Sequence, residues 1–250
     1  MFSSLATVVF LAAAEVAAHG FVEFIHADGV QYQGYNPGFR FQDPAPRVPG
    51  WYANNTDIGF VGPESFRDPD IICHKIARPG QEYVNVRAGS NITLQWMMWP
   101  ESHVGPIMDY LAPCPSSGCV DTDKTQLEFV KLAQQALKPD ATPSTFWLEA
   151  WVVDDFRKNS YKWVVNIPSD IKSGYYVLRH EIIALHSAWG ENGAQAYPQC
   201  INLHVTDGGD TEVSGGTSPM KFYDAEHPGI HISVYDGLTT YPYPGPALWR

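Results

Sequence analysis

The sequence predicts an all-β fold, a sandwich of short strands carried between long loops, and three observations support it. Apolar and polar residues alternate over seven short stretches, the period at which successive side chains leave a strand on opposite faces. The 250 residues include 21 glycines, 20 prolines and 13% aromatics, a composition that interrupts helices and fills turns and shaped loops. No stretch sustains helical periodicity long enough for a long helix. An apolar content of 44% with 17% charged residues is ample for one packed domain and rules out a disordered chain.

In chain order, residues 1–18 stand outside this fold. Residues 5–14 form an uncharged apolar run too short to span a bilayer, and Val16-Ala17-Ala18 follows it, so the segment reads as a secretory signal peptide cleaved after Ala18. Residues 19–250 are then expected to form a single secreted domain beginning at His19, with no further stretch apolar enough to cross a membrane.

Strands are expected at residues 21–25, 82–86, 92–98, 163–167, 175–185, 201–205 and 230–234. Ile92-Thr93-Leu94-Gln95-Trp96 shows the pattern cleanly. Turn signals separate the stretches: Arg78-Pro79-Gly80, Ala88-Gly89-Ser90, Pro168-Ser169-Asp170 and Asp207-Gly208-Gly209. Residues 122–127 suit a short helical turn capped by Thr122 or Asp121, and alternation resumes over residues 128–132. The span 31–70 reads as a long functional loop rich in Pro, Gly and aromatics, among them Tyr32, Tyr35, Phe39, Phe41, Trp51 and Tyr52. At the C-terminus, Tyr241-Pro242-Tyr243-Pro244-Gly245-Pro246 is either a proline-stiffened tail packed on a sheet or a ligand-facing segment.

Composition narrows the function before any motif does. With 16 basic against 27 acidic residues and a net charge of −11, the chain carries no basic footprint for a nucleic acid, and an uncharged ligand fits better. Hydrolase templates fail: no G-x-S-x-G elbow is present, and His180-Glu181-Ile182-Ile183-Ala184 lacks the second His of H-E-x-x-H and lies on an expected strand. No one carboxylate pair stands out for glycoside hydrolysis. The four cysteines suit an oxidising compartment and can pair in three ways. The short loop between Cys114 and Cys119 favours a local staple that leaves Cys73 to Cys200, although sequence alone does not choose. Of the two glycosylation sequons, Asn91-Ile92-Thr93 opens an expected strand, so Asn54 in Asn54-Asn55-Thr56 is the accessible one.

His19 is the residue with the sharpest chemistry. Cleavage after Ala18 puts an imidazole and a free α-amino group on one residue, and the amine with Nδ1 closes a chelate ring on a metal. The α-amino group loses its proton readily near neutral pH, and a planar set of nitrogens completed by another His suits Cu(II).

The wider sequence around these residues resembles a known family over nearly the whole chain after Ala18. The matching stretches are His19-Gly20-Phe21-Val22, Asp70-Ile71-Ile72-Cys73-His74, Trp99-Pro100-Glu101-Ser102-His103 and Tyr110-Leu111-Ala112-Pro113-Cys114. Further on come Asp123-Lys124-Thr125-Gln126-Leu127-Glu128-Phe129, Leu178-Arg179-His180-Glu181 continuing to His186-Ser187-Ala188, and Gly193-Ala194-Gln195-Ala196-Tyr197-Pro198-Gln199-Cys200. Together they resemble the fungal lytic polysaccharide monooxygenases of auxiliary activity family 9, formerly glycoside hydrolase family 61.

The resemblance implies an immunoglobulin-like or fibronectin-like sandwich with the pairings Cys73 to Cys200 and Cys114 to Cys119. It implies one copper ion held by His19 and His103, with Tyr197 near the axial position and His186 and Gln195 beside the open side of the metal. An external electron donor, either a small molecule or a protein, would reduce the copper, with hydrogen peroxide or dioxygen as co-substrate. The implied reaction is oxidative cleavage of β-1,4-glucosidic bonds of cellulose or a related β-glucan at C1, C4 or both, by a secreted monomer that engages neither nucleic acid nor membrane. Tyr35 and Tyr241 are expected on a flat surface around the copper that stacks on sugar rings. Where relatives carry a second His beside the ligand this chain has Val104, and Ala196 is small where relatives are often larger.

The remaining histidines match no ligand position. His180, on the strand face of Leu178, Ile182 and Ala184, and His74, beside Cys73, are expected in the core; His26, His204, His227 and His231 are read as surface or structural residues. The rival reading is a non-catalytic secreted protein that binds copper or carbohydrate with the same sandwich.

Overall fold

The computed structural model describes residues 20–250; the expected signal peptide and His19 lie outside the described residues. Nine strands form two sheets. The first has the order β2-β1-β4-β7, built from β1 Val22–Ala27, β2 Val30–Gln33, β4 Asn91–Trp96 and β7 Lys162–Asn166. The second has the order β3-β9-β8-β5-β6, from β3 Val84–Arg87, β5 Ile107–Pro113, β6 Val130–Gln135, β8 Gly174–Ala184 and β9 Gln195–Thr206. Packed face to face they are the expected β-sandwich, and among the described residues the helices are α1 Asp70–Cys73, α2 Val152–Lys158 and short 3-10 turns. No described helix is long and apolar enough to cross a membrane.

Alternation identified the strands that keep one face wet. Burial alternates along β3, β4 and β7. It does not alternate in β5, where Ile107 to Ala112 are all buried, because this central strand is covered on both faces and so reads as a continuous apolar run. The sequence pattern passed over it, and over β2 inside the long loop and α2 as well, although it found β8, which is buried from Tyr176 to Ala184. α2 places Asp154 and Asp155 in its first turn and Arg157 and Lys158 in its last, the arrangement that complements a helix dipole.

Two expected elements are corrected. Residues 230–234 form no strand: Ile230 and Val234 are buried, but the segment makes only isolated contacts such as Ile232 N–H donating to Ala188 O at 2.9 Å, with no partner strand beside it. The helical turn is Lys124–Gln126, and its cap is Asp123, whose carboxylate accepts from the Thr125 N–H at 2.9 Å, instead of Thr122 or Asp121.

Between the sheets sits a small polar group in an apolar core. The Trp96 indole donates to His180 Nε2 at 3.1 Å, so the ring proton is on Nδ1, which donates to Asp109 Oδ1 at 2.7 Å; Trp163 donates to the other carboxylate oxygen at 2.8 Å. His180 is thus the satisfied core histidine the sequence suggested. On the outer face of the larger sheet, Arg179 forks onto Glu181 at 2.6 and 2.9 Å and also donates to the carbonyls of Ile71 and Ile72, tying α1 down. Tyr223 donates to the same Glu181 carboxylate. The Cys73–Cys200 disulfide fastens α1 to β9, and Cys114–Cys119 closes the short loop after β5.

The C-terminal stretch resolves as a packed tail. Tyr241 is 9% exposed and donates to Gly229 O at 2.6 Å, while Pro244 O accepts from the buried Lys131 ammonium at 2.8 Å. Of the two sequons, Asn91 is the exposed one, its amide oxygen accepting from Asn166; Asn54 is half-buried and accepts from Arg40 at 2.8 Å.

Two predictions follow from the buried polar groups. Asp109→Ala strands two buried donors, and unfolding in urea is expected to show a loss of about 2–4 kcal/mol. His74 is buried with Nε2 donating to Gly59 O and Nδ1 accepting from Lys75, and burial pushes its imidazole down to about 3. Between the ordinary value of 6.5 and that depressed value the unfolded chain binds a proton that the folded chain refuses, so His74 makes stability fall as pH falls through this window. The wild-type slope, up to about 1.4 kcal/mol per pH unit from this one group, should be reduced in His74→Gln, read from urea midpoints across the window.

Candidate metal centre

Three chain segments meet at one end of the sandwich, and sheet register decides which side chains they bring. Where β8 ends and β9 begins, Ala184 pairs with Gln195 and Ile182 with Tyr197. Gln195 and Tyr197 therefore share a strand face, and the Tyr197 hydroxyl donates to Gln195 Oε1 at 2.8 Å. Continuing past β8, the chain turns at His186 under the bond from Ala188 N–H to Leu185 O at 3.0 Å.

The third segment, residues 99–105, lies between β4 and β5 and is fastened to the end of β8. Leu185 N–H donates to Val104 O at 2.8 Å, and a Cβ on Gly105 would fall 1.9 Å from the Ile183 carbonyl oxygen. Only glycine permits that approach. It draws His103 against His186, their rings stacked with centroids 4.0 Å apart and planes 29° from parallel.

His103 is held from several sides. Its carbonyl accepts from the Trp99 indole at 2.8 Å, its Nδ1 is hydrogen-bonded to Ser102 Oγ at 3.2 Å, and its ring meets Trp99 edge-on at 5.7 Å. Trp99 in turn meets Tyr197 edge-on at 4.9 Å, and Tyr197 lies 6.5 Å from His103 between ring centroids. Tyr197 is 0% exposed, and burial drives its phenol far above the ordinary tyrosine value, so it stays protonated. With its oxygen engaged by that phenol, the half-buried Gln195 amide keeps its NH2 group as a hydrogen-bond donor.

Four of the expected residues, His103, His186, Gln195 and Tyr197, thus converge. His19 lies outside the described residues, but Gly20, bonded to it, packs so tightly on this region that a Cβ there would fall 2.1 Å from Met98 O, just before Trp99. Among the described residues no group of three His, Cys, Asp or Glu side chains is arranged for a metal, as expected when one imidazole and an amino terminus of the set belong to residue 19. The donors present fit copper: His103, with its Nδ1 bonded to Ser102, would bind through Nε2, and Tyr197 beside it would present a neutral phenol oxygen.

Of the two tyrosines expected on the surface, Tyr241 is buried and Tyr35 is half-buried. Tyr241 is buried against Trp151 and Tyr243, at centroid distances of 5.3 and 5.2 Å, and shows no ring face to solvent. The Tyr35 ring is packed on Phe39 and Tyr52, and its position is beside Val22, Gly50 and Gln199. Its buried hydroxyl is pushed up to about 12 by burial. The exposed rings near the centre are instead Trp189, 65% exposed and three residues beyond His186, and Tyr235, 48% exposed, whose hydroxyl donates to His186 O at 2.7 Å. Trp189 had a signal in sequence, its closeness to His186; Tyr235 had none, because a tertiary hydrogen bond sets its place.

The other histidines serve the structure. His74 and His180 are core residues as described, His204 stacks on Tyr175 at 4.8 Å, and His231 bonds Glu226 and the Trp189 carbonyl at 3.0 and 3.3 Å.

Comparison with known proteins agrees with this geometry. Residues 19–243 match the model of auxiliary activity family 9, formerly GH61. The chain is 48% identical over 246 residues to AA9 family lytic polysaccharide monooxygenase F of Malbranchea cinnamomea, covering 98% of this chain and 97% of that one. It is 46% identical to AA9 family lytic polysaccharide monooxygenase I of Botryotinia fuckeliana, covering 100% and 91%. A glycoside hydrolase family 61 member from Hypocrea jecorina superposes with a TM-score of 0.86 at 38% identity, covering 92% of this chain and 100% of that chain. The extended catalytic domain of H. jecorina LPMO9A also gives 0.86, at 42% identity and covering 92% and 91%. By sequence over nearly its full length and by fold, the chain belongs to auxiliary activity family 9, the lytic polysaccharide monooxygenases.

Proposed function

We propose that residues 19–250 form one secreted, monomeric copper monooxygenase domain, released by cleavage after Ala18, that oxidatively cleaves cellulose or a related β-1,4-glucan at C1, C4 or both. The observation that carries this reading is the convergence of His103, His186, Gln195 and Tyr197 at one sheet end, against the segment where Gly20 packs. In it, His19 would hold the copper through its amine and imidazole and His103 through its Nε2, with Tyr197 nearby. Copper held there would supply one-electron chemistry with a small-molecule or protein reductant and hydrogen peroxide or dioxygen.

The chain's own residues define what that site can do. The Ser102 bond to His103 Nδ1 fixes the ring's orientation and leaves Nε2 for the metal. The stacked His186 ring and the Gln195 NH2 group supply hydrogen bonds that orient the oxygen co-substrate on the open side. Tyr197, protonated and pinned by Gln195, stays a neutral, weak axial group. Trp189 and Tyr235 take over the stacking role expected of Tyr35 and Tyr241, since sugar rings present apolar C–H faces to aromatic planes. With a net charge of −11, nothing electrostatic draws the chain to a neutral polymer, so adhesion falls to such rings.

The deciding experiment incubates processed, copper-loaded protein with cellulose, with and without ascorbate, and reads products by mass spectrometry. Aldonic acids or C4-ketone sugars that need the reductant are expected. Adsorption without oxidised products would favour a non-catalytic binding protein, and reducing ends formed without copper would favour a hydrolase.

Two variant sets probe the metal set itself. A form with one extra residue before His19 should lose tight copper binding, and His103→Ala should weaken it comparably; equal calorimetric affinity in all forms would remove the proposed ligands. Ser102→Ala is expected to weaken copper about 10- to 100-fold with unchanged melting of the metal-free protein, while Gln195→Ala should retain copper and lose most oxidised product.

A further inference from the structure

The His231 ring joins the turn it sits in to the loop of the exposed Trp189, and both of its nitrogens face oxygen atoms that only accept. Nδ1 lies 3.0 Å from Glu226 Oε2, and Nε2 lies 3.3 Å from the Trp189 carbonyl oxygen. A neutral imidazole has one N–H and one bare lone pair, so it satisfies one of these oxygens and opposes the other. The imidazolium satisfies both. Its bond to Glu226, followed by its bond to the Trp189 carbonyl, raises the ring's pKa above the ordinary value of 6.5.

The surrounding charges favour the cation. Glu226 faces the ring from its own turn and Glu191 from the Trp189 loop. In the same turn Asp224 accepts from the Glu226 N–H at 3.0 Å and pairs with Arg67 at 3.7 Å, while His227 accepts the Gly229 N–H at Nδ1 at 3.0 Å. Loss of one proton from His231 turns an attraction into a repulsion. Glu226, as a carboxylate, is the stronger acceptor and keeps the remaining N–H on Nδ1, so a bare Nε2 lone pair is left facing the Trp189 carbonyl oxygen. The loop itself stays in place, because Ile232 N–H donates to Ala188 O at 2.9 Å at any pH. The change therefore falls on Trp189, whose ring is 65% exposed.

We propose that His231 is a positioning residue for Trp189: doubly protonated, it holds the stacking ring in place through the backbone carbonyl, and on losing a proton it releases that ring, so adhesion to cellulose weakens as pH rises. The proposal rests on the docking role given to Trp189 above. Because folding raises the proton affinity of the ring, the anchor is complete below 6.5 and is lost as pH rises through the higher value of the folded protein.

The test measures adsorption isotherms on crystalline cellulose with processed, copper-loaded protein and no reductant, at about pH 5.5 and about pH 8.5, either side of the imidazole range. Wild-type affinity should be about two- to fourfold higher at the lower pH, the scale of one exposed charged contact. His231→Leu should bind weakly at both. His231→Arg, a cation with several donors throughout this range, should bind tightly at both, a rescue that packing alone would not give. Trp189→Ala should bind weakly at both, and His227→Gln should keep the wild-type difference. Copper affinity should match the wild type in every variant, which separates docking from the metal set. A wild-type affinity that does not change with pH, or a change that persists in His231→Leu, overturns the anchor and leaves the glucan-cleaving function standing. A pH difference that survives in Trp189→Ala also overturns it, assigning the effect to another surface. A wild-type protein that adsorbs at neither pH overturns the docking role of Trp189 together with the anchor, and one that also binds no copper overturns the function.

Discussion

The antiparallel register of β8 against β9 fixes more of this molecule than any other contact. It runs from Gly174 opposite Val205 to Ala184 opposite Gln195, and a slip of one residue would turn every side chain of one strand to the other face. In the observed register Tyr197 faces Trp99, His180 faces the smaller sheet, and Arg179 faces α1. The same register carries Cys200 to the disulfide with Cys73 and brings His186 out of the end of β8 next to the start of β9. Fold and site are therefore specified by one ladder.

Buried polar groups enforce that ladder. Moving β8 along the sheet would part Arg179 from the carbonyls of α1, and part His180 from Asp109 and Trp96. Stranding a buried donor costs about 1–3 kcal/mol, against a total stability of about 5–15 kcal/mol. These groups add little net stability over apolar packing, but they make every alternative register expensive. The larger sheet can hold them because its outer face is covered by α1 and the C-terminal tail, whose Pro244 carbonyl accepts from Lys131.

What the sequence displayed of this arrangement follows a physical line. Strands with one wet face, such as β3, β4 and β7, alternate and could be read; of the two strands buried on both faces, β8 was read and β5 was passed over. His103, His186, Gln195 and Tyr197 were legible because each sits in a stretch that resembles the family, and Gln195 and Tyr197 also share a face by spacing alone. The surface aromatics were not legible. Tyr35 and Tyr241 lie in loops of the expected composition, yet loop composition does not say which ring points outward, and both hydroxyls ended inside the protein. Residues 230–234 alternate as a strand does but find no partner, and pairing is a tertiary fact.

The proposed docking face differs in kind from the site beneath it, and its rigidity comes from loop bonds instead of sheet. Trp189 sits in a turn closed by Gly190 N–H to Ser187 O and Gly193 N–H to Gly190 O, both at 3.1 Å. Its carbonyl is bonded to His231, and Ile232 N–H donates to the neighbouring Ala188 O. Tyr235 is anchored to the His186 carbonyl, so the C-terminal loop is tied at three points to the loop that carries His186. A neutral polymer offers no charge to reward ordering a mobile loop, and each side chain immobilised on binding costs about 0.5–1.5 kcal/mol. A face whose rings are already held by backbone bonds avoids that cost. The bond from Tyr235 to His186 then makes the position of the proposed stacking surface and the position of His186 a single geometric quantity.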